Sequence, residues 1–295
     1  MTPALPRNIQ LKLEQTIAQW HQWHCEPPLQ AAPAVVAVLA PGASNFSILV
    51  ASEQHFVVRI DGINPATNGL NRQTEWRTLQ TAHKAGIAPK PRYFNPELGS
   101  MVCDYLTPDQ DQELCMTTVG TLLREIHNLP ARHNRLDLAE RILRYEKHLE
   151  HKHQTLAAPL QQCREQIFDL LDPVNQRPHT AVLCHNDLLR GNRIVSAGRL
   201  WAIDWEYCAM GNPWFDLAVV VTGDSLNTAQ TEALLLAYLG AAPSDAQRME
   251  LTRHSCIYRY MELLWYQAQT HAVLEPPQLN DKMTALQRAL QQYLT

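Results

Sequence analysis

One stretch constrains any fold for this chain more than the rest: Leu183-Cys-His-Asn-Asp-Leu-Leu-Arg-Gly-Asn-Arg-Ile-Val195, followed by Leu200-Trp-Ala-Ile-Asp-Trp-Glu-Tyr207. An apolar run of strand character ends in His185, Asn186 and Asp187; a polar turn carries Asn192; a second apolar run delivers Asp204. These short strands interrupt a region that otherwise reads as helix. Apolar residues recur at three- and four-residue spacing over 112–128, 136–155 and 159–171 before it, and helices follow over 214–221, 228–239, 245–269 and 278–294.

The N-terminal part reads differently. Ile9, Leu13, Ile17 and Trp20 predict a helix over 8–24, ended by Glu26-Pro27-Pro28. Runs rich in β-branched residues predict strands over 35–39, 46–50 and 55–60, joined by the turns 40–45 and 51–54. A polar loop over 61–69 leads to a helix over 70–85, stopped by Gly86, and two more strands over 92–95 and 100–105 flank the turn 96–99. The order strand-strand-strand-helix-strand-strand, then helices, predicts an α+β chain. Its small antiparallel-sheet domain spans 1–106 and its mainly helical domain 107–295, with the boundary near Leu106.

The 295 residues, 45% of them hydrophobic, suffice for two such domains. A net charge of -4 offers no basic field for nucleic acid or an anionic membrane surface. The N-terminal residues lack a basic segment followed by an apolar core, and the most apolar stretch, 31–40, is too short to span a bilayer and contains Pro33. Seven scattered cysteines without a CxxC pair indicate a reducing, cytoplasmic setting. His148, His151 and His153 read as a solvated helix face rather than a metal site.

Chemistry concentrates in the central stretch. A carboxylate in a turn after a buried strand, as Asp187 is, can accept the proton of an attacking hydroxyl. One carboxamide, Asn192, and one carboxylate, Asp204, at neighbouring strand ends suit magnesium, which takes few oxygen ligands from protein and the rest from phosphate and water. Each residue alone reads equally as a turn or cap residue. Together they point to phosphoryl transfer to a small hydroxyl compound.

His185-Asn-Asp187, Asn192 and Ile203-Asp204 resemble the catalytic loop and metal-binding aspartate of kinase-like phosphotransferases. The step from Asp187 to Asn192 and the run Ile203-Asp-Trp-Glu-Tyr207 are similar to the choline/ethanolamine, thiamine and aminoglycoside kinase group. The protein-kinase signatures Asp-Phe-Gly and Ala-Pro-Glu do not occur where a protein kinase carries them. The resemblance covers nearly the whole chain and implies a two-lobe protein-kinase-like fold that binds ATP and Mg2+. It implies that the turn Pro41-Gly-Ala-Ser-Asn45 faces phosphate through Ser44 and Asn45. It implies that Arg59, paired with Glu75, is the phosphate-binding cation, and that the backbone of 101–106, with Asp104 and Leu106, reads adenine.

By the same resemblance Asp187 is the base, His185 belongs with it in the catalytic loop, Asn192 and Asp204 hold magnesium, and Asp216 braces the loop. Tyr207 and Trp265 match aromatics of the ammonium-binding cage, with Glu206 and Glu262 as its carboxylates. Three residues beyond Trp265, where choline kinases carry a second tryptophan, stands Ala268. The expected substrate is a small amino alcohol of the choline or ethanolamine type, with thiamine the nearest alternative. Aminoglycosides rank lower because Asp281 is the only acidic residue over 280–295. A kinase-like binding protein without chemistry is the reading from another class.

Overall fold

The computed structural model describes residues 5–41, 45–62, 64–65, 69–110, 114–176, 181–268 and 275–294. The chain forms two compact units. One comprises Met1–Gln112 with Ile194–Tyr207, the other Glu113–Arg193 with Cys208–Thr295. The first piece ends close to the boundary expected at Leu106, and Ile194–Tyr207 joins it from much later in the chain. Backbone hydrogen bonds hold that segment there: Ala202 N–H donates to the Ile87 carbonyl at 2.8 Å and Asp109 N–H to the Val195 carbonyl at 2.8 Å. The Asp109 carboxylate accepts from the N–H groups of Ala197 (2.9 Å) and Gly198 (2.8 Å).

The first unit is a five-stranded antiparallel sheet with two helices. Its strands are β1 (Ala34–Pro41), β2 (Asn45–Ala51), β3 (His55–Asp61), β4 (Pro91–Asn95) and β5 (Ser100–Asp104), in the spatial order β1-β2-β3-β5-β4. Side chains alternate across a strand. Phe56, Val58 and Ile60 of β3 therefore enter a core with Ile48, Val50, Val102 and, from α1 (Arg7–Ala18), Ile9 and Leu13. Arg59 takes the opposite face for the same reason. The helix expected over 8–24 ends at Ala18, and a short 3-10 turn at Trp20–Gln22 replaces its last part. Trp23 is extended there, which brings its ring edge-on to Phe56 at 5.4 Å. Burial of a large aromatic outweighs a further helical turn. α2 (Arg72–Lys84) starts at Asn71, whose side chain accepts from Thr74 N–H.

The second unit is mainly helical: α3 (Met116–His127), α4 (Leu138–His151), α5 (Ala158–Gln176), α6 (Pro213–Gly223), α7 (Thr228–Leu239), α8 (Asp245–Ala268) and α9 (Pro276–Leu294). Strand β6 (Val182–Cys184) pairs with β9 (Ala209–Gly211). The hairpin β7 (Arg193–Ser196) and β8 (Arg199–Ala202) lies between them in the chain and turns at Ala197 and Gly198, both at positive φ, as a tight two-residue hairpin requires. α6 is apolar nearly all round, with Phe215, Leu217, Ala218, Val219 and Val220 buried, and such a helix belongs at the centre of a bundle. Its Phe215 and Val219 share a core with residues of α4, α5, α8 and α9. All seven cysteines are free thiols. Among the described residues no helix is long and apolar enough to cross a membrane.

α3 and α7 approach closely at Gly120, where an added Cβ would lie 2.4 Å from the Leu234 carbonyl oxygen. In an open helix Gly→Ala stabilises by about 1 kcal/mol. Here the two backbones must separate, so Gly120→Ala is expected to destabilise the protein by about 1–3 kcal/mol. Thermal denaturation reads this as a lowered Tm; a Tm at or above the parent's contradicts the close approach.

Candidate active site

In the first unit β3 presents Arg59 to two carboxylates. Its Nη2 donates to Glu75 Oε2 at 2.7 Å, its Nη1 makes a second, shorter bond to Glu75 Oε1, and Nη1 also reaches Asp204 Oδ1 at 2.9 Å. The pairing of Arg59 with Glu75 is the one the family resemblance implied, and it is a bidentate fork. Glu75 is buried. Burial pushes its carboxyl up, and Arg59 with Arg72 pulls harder, so its net shift is downward.

Arg72 has no counterpart among the expected site residues, yet it ties this region together. Its guanidinium donates to Glu75 Oε2 (2.9 Å), Glu206 Oε2 (2.9 Å) and Asn45 Oδ1 (2.8 Å) and pairs with Asp61 at 2.7 Å. Asn45 in turn donates to Glu206 Oε2 at 2.8 Å. Asn45 and Glu206 are both buried in this network. Asn45, expected to face nucleotide, and Glu206, expected on the substrate side, are both tied into the Arg72 network, because a buried amide or carboxylate must be satisfied where it lies. The i,i+3 spacing of Arg72 and Glu75 was the available signal for Arg72. Ser44 lies outside the described residues.

Asp204 follows β8 with φ at +59°, a left-handed conformation that aspartate tolerates better than most residues. Burial, then the neighbouring Glu206 carboxylate, raises its carboxyl to about 7 against the pull of Arg59. Asp104, at the end of β5, is held by Arg92, with Nε to Oδ1 at 2.5 Å and Nη2 to Oδ2 at 2.9 Å. The N–H groups of Asp104 and Tyr105 are committed to Lys90 and His55. Leu106 lies just beyond β5, in a stretch without regular secondary structure. Tyr207 ends the 3-10 turn Trp205–Tyr207.

The second unit carries the loop after β6. Asp216, in the first turn of α6, accepts from the backbone N–H of His185 and of Asn186, each at 2.8 Å. It also pairs with His127 Nε2 at 3.1 Å, and His127 Nδ1 meets the Tyr238 hydroxyl at 2.8 Å. Burial raises the Asp216 carboxyl, the hydrogen bonds lower it further, and the net shift is downward. Asp216 braces the loop. His127 and Asp216, together with Cys184, form a compact buried donor group. His185, expected in the catalytic loop, is fully buried.

Beyond this brace, Asn192 Nδ2 donates to the carbonyl and to Oδ2 of Asp187, both at 2.8 Å. The amide nitrogen is thus committed to Asp187, and the carbonyl oxygen is the atom a cation can take. Asp224 holds the same turn from outside, accepting from Arg190 N–H at 3.0 Å and pairing with the buried Arg193.

On α8, Trp265 packs against the helical core and lies edge-on to Tyr266 at 5.1 Å, and Glu262 accepts from Lys282 Nζ at 2.7 Å. Burial first, then Glu262 and Asp187, push up the Tyr258 and Tyr266 hydroxyls, so both tyrosines lie within electrostatic range of Asp187. The four-residue spacing of Tyr258, Glu262 and Tyr266 on one helix face was legible in the sequence but was read only at Glu262.

The raised Asp204 carboxyl fixes a sign. From its usual value of 3.8 up to about 7, the folded state keeps a proton that the unfolded state has lost. The contribution of this group to stability is therefore present at low pH and declines as pH rises through that window. Asp204→Asn stays neutral throughout. Without divalent metal, its stability relative to the parent is expected to increase between about pH 5 and pH 8, by on the order of 1 kcal/mol after solvent screening. Paired urea melts measure this, and a difference that does not grow with pH contradicts it.

A model of the Phosphotransferase enzyme family (APH) matches residues 35–251. Protein LicA of Haemophilus influenzae is 26% identical over 212 residues, 67% of this chain and 60% of that protein. The chain thus spans about 60% of the length of the LicA proteins it first matches. Thiamine kinase of Salmonella paratyphi C is 26% identical over 227 residues, 75% of this chain and 76% of that enzyme. The crystal structure of choline kinase LicA from Streptococcus pneumoniae shares the fold, with a TM-score of 0.74 over 88% of this chain and 95% of that one at 23% identity. The match over 35–251 takes in Arg59, Glu75, the loop from His185 to Asn192, Asp204 and Asp216, and ends before Glu262 and Trp265. By that match the chain belongs to the phosphotransferase enzyme family.

Proposed function

We propose that this chain transfers the γ-phosphoryl group of ATP to the hydroxyl of a small cationic alcohol of the choline or ethanolamine type. The observation that carries this reading is the Arg59 guanidinium, fixed by a bidentate bond to Glu75 and joined to Asp204 at 2.9 Å. A cation held in that way is pre-organised to meet phosphate oxygens. The acceptor oxygen bonds to the γ-phosphorus as the bond from that phosphorus to the β-phosphate oxygen breaks. ADP leaves, and Asp187 takes the hydroxyl proton. His185 and Asp216 position the loop, and the Asn192 amide orients the Asp187 carboxylate. The backbone at Asp104 and Leu106 reads adenine, and the turn carrying Ser44 contributes to phosphate binding. Tyr207, Trp265 and Glu262 serve the acceptor's cation.

Asn192 and Asp204 would hold magnesium. Their oxygens are the hard donors it prefers. The charge around Asp204 also calls for a cation: Arg59 and Arg72 face the four carboxylates of Asp61, Glu75, Asp204 and Glu206. When bound, the ion offsets negative charge on the transferred phosphoryl oxygens.

Thiamine is the second reading, favoured by the thiamine kinase relative that matches 75% of this chain. Side-by-side assays of choline, ethanolamine, thiamine and an aminoglycoside with ATP and magnesium separate the two. Turnover of choline or ethanolamine supports the first and turnover of thiamine alone the second, while phosphorylation of the aminoglycoside alone contradicts both. Asp187→Asn is expected to lose on the order of 10²-fold or more in kcat. Equal rates in parent and variant would remove Asp187 from the mechanism, and no turnover in the parent would favour a binding protein.

A further inference from the structure

Glu262 is the acceptor-side carboxylate, and it already has a cation. Lys282, on α9, donates from Nζ to Glu262 Oε1 at 2.7 Å, and the same Nζ stands 5.7 Å from the centre of the Tyr266 ring. An ammonium against a carboxylate and near an aromatic ring is the arrangement that would recognise the ammonium of a cationic alcohol. Glu262 is the more enclosed partner, with its side chain 15% exposed against 33% for Lys282. Left alone, this carboxylate would be a poorly solvated charge, which is costly. Lysine suits a removable partner: its charge is a strongly hydrated point on a flexible stem, without the planar fork of arginine.

We propose that Lys282 is a tethered stand-in for the acceptor's cation, which the acceptor ammonium must displace from Glu262 and Tyr266 in order to bind. This rests on the cationic-alcohol reading of the same site. Displacement exchanges one ammonium for another, so the charge at Glu262 is conserved while the Lys282 ammonium moves into water. A neutral alcohol has nothing with which to displace it. A bare cation gains only the difference between two similar interactions. A cationic alcohol gains more, because its hydroxyl reaches Asp187. Lys282 thereby acts as a specificity-determining residue.

The test is Lys282→Met, which keeps an apolar stem and removes the charge. Tetramethylammonium, a cation without a hydroxyl, is titrated into parent and variant with tryptophan fluorescence as the readout. The variant is expected to bind it roughly fivefold tighter, as loss of a competing, partly exposed ion pair implies. The KM for the cationic alcohol should fall by a similar factor relative to the KM for ATP, and Lys282→Arg, whose guanidinium can hold Glu262 at two points, should bind tetramethylammonium no more tightly than the parent. Binding that is unchanged or weaker in Lys282→Met overturns the assignment, as does binding to neither protein. Lys282→Gln supplies the same comparison if the methionine variant melts early. Because tetramethylammonium binding needs no turnover, a parent that phosphorylates none of the alcohols defeats the kinase reading without deciding the role of Lys282.

Discussion

The first unit depends on the ion pair of Arg59 with Glu75. A guanidinium on a sheet face and a carboxylate on a helix are each expensive to remove from water, and each is tolerable because the other is held against it in a two-point geometry. Everything nearby is arranged around that pair. Arg72 adds a second positive charge, Glu206 and Asn45 anchor it, and Asp204 completes the group at the end of β8. Burial, and after it the neighbouring Glu206 carboxylate, raises the Asp204 carboxyl against the pull of Arg59. A divalent cation, as proposed for this site, would meet the negative charge of these carboxylates.

The second unit solves a different problem, how to hold a short irregular loop still. Asp216 does so with backbone hydrogen bonds rather than side-chain packing. By capturing two successive N–H groups it fixes the direction in which Asp187 leaves the strand. His127 and Tyr238 satisfy what remains of that buried carboxylate. Asp224 repeats the device at the far side of the turn, through Arg190 and Arg193. In the proposed reaction the hydroxyl and phosphoryl groups would meet on the frame so held.

Much of this was legible in the residues. The strand expected over 55–60 forms, and its alternation buries Phe56, Val58 and Ile60 on one face with Arg59 on the other. Helical spacing located α3 to α9 to within a few residues, because amphipathic helices carry their burial pattern locally. The helix expected to run to residue 24 stopped early, since a distant side chain, Phe56, supplied a better place for Trp23 than another helical turn could. Asn45 and Glu206, read as ligand contacts, are also hydrogen-bonded to Arg72, a residue no motif marks. Their satisfaction depends on partners 161 positions apart in the chain, and no local pattern reports that.

What the sequence by itself determined is the chemistry and the elements: which residues can accept a proton, bind an oxygen-loving cation or meet a phosphate, and whether each sits on a strand, helix or turn. Those depend on residue type and on spacing over a few positions. Only the tertiary structure decided which charges share a place. It drew Ile194–Tyr207 back to the first unit, set Arg72 between four acceptors, and brought Lys282 of α9 against Glu262 of α8. The physical reason is that charge pairing acts through space, and its energy is set by distance and burial, neither of which can be read from separation along the chain.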